Sequence, residues 1–417
     1  MNRILVVCLF LLISVNTSLA QVNTSSPYSR FGLGDLNGTV FPHYNALGGG
    51  VSAFNDPYII NPYNPATFNS FGLNSFLLST GGMHTTTNMQ NLSESQITNN
   101  SAFSHLTIAF PINRKIGASI GMLPYSNIGY ELNSSNIEYD ADLIYSGDGG
   151  ISKIYFGGAY KLTNNLSIGV NASYLLGGLN KRKKVVYNDE SFFNSRSNSK
   201  INLQGYYYEF GLLYKQNMSE NKEISFGLVA NNNSDIRVKR NELVETFEFL
   251  GVLEIPKDTF ENTTQWGYVI LPQFISAGVT YREAKRIIVI ADYSTQDWSE
   301  FRLFDEVDNL NNSTRISTGI QYTPEYNSPT RYYKRIQYRL GMAFYETPLQ
   351  IKDNQLIEKS ITFGIGLPIK RSRTRYDFSV TLAERGTTLN DLLKEQYIKL
   401  GLSVSYDGIW FVKRKYD

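Results

Sequence analysis

The chain has 417 residues, a formal net charge of +2, one cysteine and three histidines. So even a charge balance gives no electrostatic footprint for a nucleic acid, and a single cysteine supports neither a disulfide framework nor a thiolate metal site. Hydrophobic residues make up 42% and mean hydropathy is −0.26, yet Tyr (29) and Phe (24) are abundant, as expected of strands with an apolar outside and a wet inside.

Met1-Asn2-Arg3 gives a positive start, residues 4–15 form an apolar core, and Ser18-Leu19-Ala20 places small residues where signal peptidase cuts. The pattern predicts a signal peptide over residues 1–20. Its apolar run falls far short of the ~20 residues a membrane helix requires. Cys8 lies inside that run with further apolar residues after it, so it is not a lipid-accepting cysteine, and the exported chain has no thiol.

Residues 45–68 read NALGGGVSAFNDPYIINPYNPATF. Gly48, Gly49 and Gly50 permit backbone angles closed to other residues, while Asn61-Pro62 and Asn64-Pro65 interrupt any ladder. No helix or regular strand is expected there. Ala46, Leu47, Val51, Phe54, Ile59, Ile60, Ala66 and Phe68 are nonetheless apolar, and an irregular apolar segment needs surroundings that satisfy its backbone. Residues 21–70 are therefore read as a plug, or hatch, held inside a barrel formed by residues 71–417. An ordinary surface loop is the plain alternative.

From residue 72 onward, apolar and polar residues alternate. Ile361, Phe363, Ile365 and Leu367 oppose Thr362, Gly364 and Gly366; Tyr338, Leu340, Met342 and Phe344 oppose Gln337, Arg339, Gly341 and Ala343. Period two marks half-buried strands. They are predicted at 72–81, 102–111, 115–123, 152–162, 166–176, 204–216, 223–231, 271–282, 286–294, 314–323, 336–346, 359–369, 375–385 and 395–411. Short connections alternate with long ones such as 124–151 and 232–270. An even count near 14, with alternating short turns and long loops, predicts an all-β fold: a transmembrane antiparallel barrel in the bacterial outer membrane with both termini periplasmic. A soluble two-sheet sandwich has no reason for that alternation. Charges on the predicted inner face, including Glu209, Lys215, Asp292, Arg315, Arg339, Arg375 and Asp377, are read as a salt-bridge lattice under the hatch, with ligand steering as the alternative.

The chemical motifs are weak. Gly117-Ala118-Ser119-Ile120-Gly121 fits a nucleophile pattern but sits mid-strand, without the strand-to-helix turn the mechanism needs. His43, His84 and His105 share no metal-ligand spacing. His105 as the base of a lipid hydrolase is a remote alternative. Asp140, Asp142 and Asp148 lack the calcium-loop spacing. No enzyme activity, metal or cofactor is expected. The basic run Lys181-Arg182-Lys183-Lys184 reads as a loop able to meet anionic headgroups, or as a merely solvated turn.

The run SPYSRFGLGDL at 26–36, followed by residues 45–68, resembles the opening of the FadL/TodX family of outer-membrane hydrophobic-compound channels. In that family a hatch with an Asn-Pro-Ala signature fills a barrel of about 14 strands, and the signature falls here on Asn64, Pro65 and Ala66. The resemblance implies uptake of a hydrophobic, long-chain fatty acid-like ligand by passive diffusion, with lateral exit at a kinked third strand. The third predicted strand runs into Pro124, which removes a ladder donor where such a gap would lie; alternatively Pro124 simply ends the strand. No ligand-contacting charge of the family matches this chain. Some relatives are non-transporting subunits of outer-membrane secretion or assembly machines. The expected partners are thus outer-membrane lipids with either a hydrophobic ligand or other machine subunits.

Overall fold

The computed structural model describes residues 25–136, 140–189, 191–308, 310–370 and 372–410. The expected signal peptide lies outside them. Sixteen strands of ten residues or more appear: β1 (Ser75–Gln90), β2 (Ser95–Pro111), β3 (Ile116–Asn136), β4 (Ala141–Lys161), β5 (Leu166–Tyr187), β6 (Asn194–Ser219), β7 (Lys222–Asn231), β8 (Ser234–Leu250), β9 (Leu253–Leu271), β10 (Phe274–Glu283), β11 (Ile287–Gln296), β12 (Ser313–Tyr322), β13 (Gln337–Ile351), β14 (Asn354–Pro368), β15 (Arg375–Gly386) and β16 (Lys394–Ile409).

Fourteen of these close a single antiparallel barrel. Strands β1 to β7 pair in order, β7 pairs with β10, β10 to β16 follow, and β16 returns to β1 through sixteen rungs from Lys394↔Gln90 to Ile409↔Ser75. A closed ladder leaves few free edges, which is what hydrocarbon demands of a spanning sheet. Strands β8 and β9 are the exception. They form a ribbon on the long-loop side, where β8 pairs with the upper part of β6, from Asn194↔Phe247 to Gln204↔Arg237.

The alternation read from the sequence is the inside–outside alternation of the wall. On β14, Ile361, Phe363 and Ile365 are exposed while Ser360 and Thr362 are buried, and β13 and β16 repeat the pattern. Most strands run past their expected ends on the long-loop side: β3 reaches Asn136 and β5 reaches Tyr187. The expected loop 124–151 is therefore mostly ladder. Its residues 131–136, Glu-Leu-Asn-Ser-Ser-Asn, carry no apolar outward face, so the hydropathy signal fades while the hydrogen bonds continue. Lys181, Arg182, Lys183 and Lys184 are likewise in β5 and not in a loop. Arg182 pairs with Asp148 at 3.1 Å, and Lys184 bonds Glu254 on the ribbon.

Two apolar cores fill the interior. The lower one joins Val40, Phe41, Tyr44, Leu47, Phe54, Ile60 and Phe68 of the N-terminal segment to wall residues such as Leu77, Ala109 and Ile290. The upper one, at the mouth on the long-loop side, packs Trp298, Phe301 and Phe304 against Ile236, Val238, Val269 and Leu271 of the ribbon, with Leu33 from the N-terminal segment.

Candidate functional site

The N-terminal segment is irregular, as its glycines and prolines require. Gly48 and Gly49 adopt φ of 74° and 85°, where a Cβ would be strained. Among its described residues regular structure comes in short pieces: 3-10 turns at Pro27–Arg30 and Pro65–Ser70, a two-residue strand Asp35–Leu36 and a four-residue helix Pro42–Asn45. The turn at Pro65–Ser70 and the end of the helix fall in residues 45–68, where the sequence predicts no helix; each helical piece begins with a proline, whose fixed φ suits a first helical position. The two asparagines before proline tie the segment together. Asn61 Nδ2 donates to the carbonyls of Val51 (2.8 Å) and Phe54 (2.9 Å). Asn64 Nδ2 donates to Ser52 O (2.5 Å) and to Leu212 O of the wall (3.2 Å), while its Oδ1 accepts from Ala66 N (3.0 Å). A short polar side chain bonding nearby backbone supplies what a missing ladder would have supplied. Pro62 gives its carbonyl to Asn171 Nδ2 at 2.7 Å.

The wall accommodates this segment through glycines. A Cβ at Gly117 would lie 1.8 Å from Phe68 O, at Gly227 1.8 Å from Ser52 O, at Gly211 2.2 Å from Asn64 Oδ1, at Gly341 2.1 Å from Gly48 N and at Gly364 2.3 Å from Ala46 Cβ. These inward-facing glycines are the site residues that the motif reading missed. Their signal was present: glycine weakens a strand unless a backbone approaches it closely.

Charged wall residues hold the same segment. Asp292 Oδ2 accepts from Val51 N (2.7 Å) and Ser52 N (2.6 Å). Arg315 donates to Gly48 O at 3.2 Å, Lys215 donates to Ser70 Oγ at 3.0 Å, and Arg282 donates to Asn55 O. Toward the short-turn end, Arg339 and Arg375 grip the two oxygens of the fully buried Asp377 at 2.7 and 2.8 Å. Arg375 also reaches His43 Nδ1 at 3.4 Å. Burial, reinforced by Arg339, brings the His43 imidazole of the N-terminal segment down to about 3, so at neutral pH it is uncharged. Glu209 pairs with Lys153 at 2.8 Å.

Between segment and wall lies a cavity of about 310 Å³, bordered by Leu36, Val40, Tyr63, Tyr125 and Tyr207 and by six charged residues, Lys153, Glu209, Asp292, Arg315, Glu358 and Lys399. It reaches Leu123 and Pro124, next to an interruption in the wall. Strands β2 and β3 share only six rungs, Leu106↔Met122 to Pro111↔Gly117. Above them β3 takes the N-terminal segment as its neighbour: Asp35 and Leu36 pair with Asn127 and Ser126, Asn37 N donates to Tyr125 O, and Ser26 N to Gly129 O, both at 2.9 Å. Pro124 does not end β3. The strand passes through it with a register shift between Pro124 and Ser126, because a bulge absorbs a residue that cannot donate.

The remaining motif residues have local partners. Ser119 Oγ donates to Ile108 O (2.9 Å) and meets Tyr155 OH (2.9 Å). His105 is buried under Phe41, ring centroids 3.6 Å apart, with Ser79 and Ser104 hydroxyls at its two nitrogens. His84 meets Ser101. Asp140, Asp142 and Asp148 bond Asn188, Ser135 and Asn180 in turn.

A closed barrel with an apolar outer belt and its own N-terminal segment packed against the inner wall defines a transmembrane β-barrel protein. The sequence matches the BamG family over residues 1–417, and the protein belongs to that family. In fold it is similar to the Ralstonia pickettii toluene transporter TbuX (TM-score 0.62, 16% identity, 88% of this chain and 97% of that one). It is also similar to the Pseudomonas putida toluene transporter TodX (0.61, 14%, 92% and 100%) and to a Pseudomonas aeruginosa FadL homologue (0.56, 11%, 90% and 99%). The resemblance to FadL/TodX channels thus holds for the fold, while the matching family carries another name. No curated protein matches the sequence.

Proposed function

We propose that this protein is a non-transporting outer-membrane barrel subunit that serves as a docking platform in a multi-protein outer-membrane machine. The observation that carries this reading is the distribution of apolar surface inside the barrel. Sites for hydrophobic ligands are lined mostly by apolar side chains that stay available to the ligand. Here the apolar residues of the mouth, Trp298 and Phe301 among them, are packed into a core, and the cavity beneath carries six charged groups. A hydrocarbon arriving from the long-loop side would have to break the first and desolvate the second.

The surface offers the complement. The ribbon ends in Phe249-Leu250-Gly251-Val252-Leu253, and Val252 is 94% exposed. Four large apolar side chains at the tip of a projecting hairpin are costly in water and suit a protein partner. A channel for hydrophobic compounds is the second reading. It is favoured by the short β2–β3 ladder beside Pro124 and by the cavity that reaches it.

Purification from native membrane separates the two. Stoichiometric partner proteins that are lost on Leu250→Asp with Val252→Asp, while the barrel stays folded, support the platform. A barrel that purifies alone, and whose Pro124→Ala variant loses uptake of a hydrophobic tracer, would overturn it.

A further inference from the structure

Above the lipid-facing belt, the outward side of β6, β8 and β9 carries cations where a hydrocarbon-facing wall would not. Successive rungs run Gln204–Arg237–Tyr268, Asn202–Lys239–Trp266 and Lys200–Asn241–Thr264. The intervening residues Leu203 and Val238 are buried inward, so the three cations share the outward face. Residues two apart on a strand are about 7 Å apart and neighbouring strands about 4.8 Å. The Cα atoms of consecutive cationic residues therefore stand within about 9 Å of one another.

Trp266 organises two of them. The Arg237 guanidinium lies 4.5 Å and the Lys239 ammonium 5.4 Å from its ring centroid, so one ring holds both charges by cation–π contact. Among the described residues no carboxylate forms an ion pair with Arg237, Lys239 or Lys200. On the same face of β8 lie Asp235, one rung toward the belt, and Glu245, further along, which pairs with Arg196 at 2.6 Å. Just below, on that same side, Tyr206 packs edge-on against Tyr174 at 5.3 Å. Tyr and Trp at the end of an apolar belt mark the depth of lipid headgroups.

We propose that Arg237 and Lys239, both held by Trp266, form with Lys200 a binding site for the phosphate headgroup of an anionic lipid in the leaflet on the long-loop side. The lipid's chains lie along the belt below Tyr206. Its phosphate oxygens accept from the guanidinium and the two ammonium groups. The site depends on the barrel lying in a bilayer and not on the platform reading.

The test uses the full barrel in phosphatidylcholine vesicles doped with brominated phosphatidylglycerol or, separately, brominated phosphatidylcholine. Quenching of tryptophan fluorescence then reports which lipid sits at Trp266, and Trp266→Phe assigns the signal. Each cation near an anionic surface contributes about fivefold, so the three together predict a preference for the anionic lipid of about a hundredfold. The triple variant Arg237→Gln, Lys239→Gln, Lys200→Gln is expected to lose it, and Arg237→Lys with Lys239→Arg to keep it. If the triple variant does not fold, judged by heat-modifiable migration, each single Gln variant is expected to lose about fivefold. Equal quenching by both lipids in the unaltered barrel overturns the site, as does a preference surviving charge removal. Displacement by inorganic phosphate as effective as by lipid would assign the cations to free phosphate instead.

Discussion

The carbonyl oxygen of Phe68 lies 1.8 Å from the position a Cβ on Gly117 would take. Backbone and wall are in contact there with no side chain between them, so the N-terminal segment sits against the strands themselves. The fit depends on an atom that is absent from residue 117.

Adding that atom should unseat the segment. Gly117→Val and Gly227→Val are expected to cost at least about 3 kcal/mol of its docking, the upper range for overpacking, because the atoms met are backbone and cannot swing away. Gly158→Val is the control: it faces outward, and its nearest neighbour is 4.0 Å off. Limited proteolysis within residues 25–70 reads the docking, and heat-modifiable migration reads the wall. Equal cleavage in all three variants would refute the close approach.

Asn64 bonds to Ser52 O and Ala66 N within the segment and to Leu212 O of the wall, and the strand pairings of Leu212 with Ile168 and Leu228 do not run through it. Asn64→Ala should therefore loosen the segment by about 2–4 kcal/mol, the sum of lost bonds and stranded polar groups, without melting the barrel. Asn64→Asp should be worse, since two carbonyls would then face a carboxylate. Hydrogen exchange across residues 51–70 measures both. Unchanged protection in either variant would show that this side chain does not hold the segment.

On the lipid face, Leu400→Arg is expected to cost about 2–4 kcal/mol if the residue lies near the bilayer midplane. Thr381→Arg, beside the charged cavity, should be milder. Thr362 is a poor inner-face control, because its Oγ1 accepts from Gly48 N at 3.2 Å. Unfolding titrations in vesicles measure the contrast, and equal losses would reverse the assigned faces.

The buried His43 imidazole is held near 3, against about 6.5 in a released chain. The released form thus binds the extra proton. The contribution of His43 to docking is complete above 6.5 and falls as pH drops from there toward 3, by about 1.4 kcal/mol per unit. His43→Gln removes this titration. The difference in protease protection between the two proteins should shrink with acidification across that window; a difference independent of pH would place a charged imidazole in the docked segment.

The sequence revealed the barrel because lipid forces every spanning strand to alternate, and all fourteen wall strands overlap their expected positions. It did not reveal strand ends. Beyond the bilayer the outward face of β3 turns to Glu, Asn and Ser, and β8 and β9 carry polar residues outward along most of their length, so no hydropathy signal separates a ladder from a loop. Asn61 and Asn64 stood out because asparagine before proline has few other uses. Gly227 and Gly341 did not, since what makes them necessary is a segment distant in sequence, at Ser52 and Gly48. The inward charges were readable as inward; that Asp292 would accept from two amides of residues 51 and 52 was not.

Contacts of this length also set the order of assembly. Ser26 donates to Glu395 across 369 positions, and Tyr28 to the carbonyl of Leu393 across 365. Ser26 and Tyr28 therefore complete these bonds only when β16 arrives. Loop closure over such separations is slow, and a wall that closed first would shut its occupant out. Barrel closure and the last steps of internal packing are thus expected to come together, and a chain halted before β16 would display its apolar N-terminal segment to whatever escorts it.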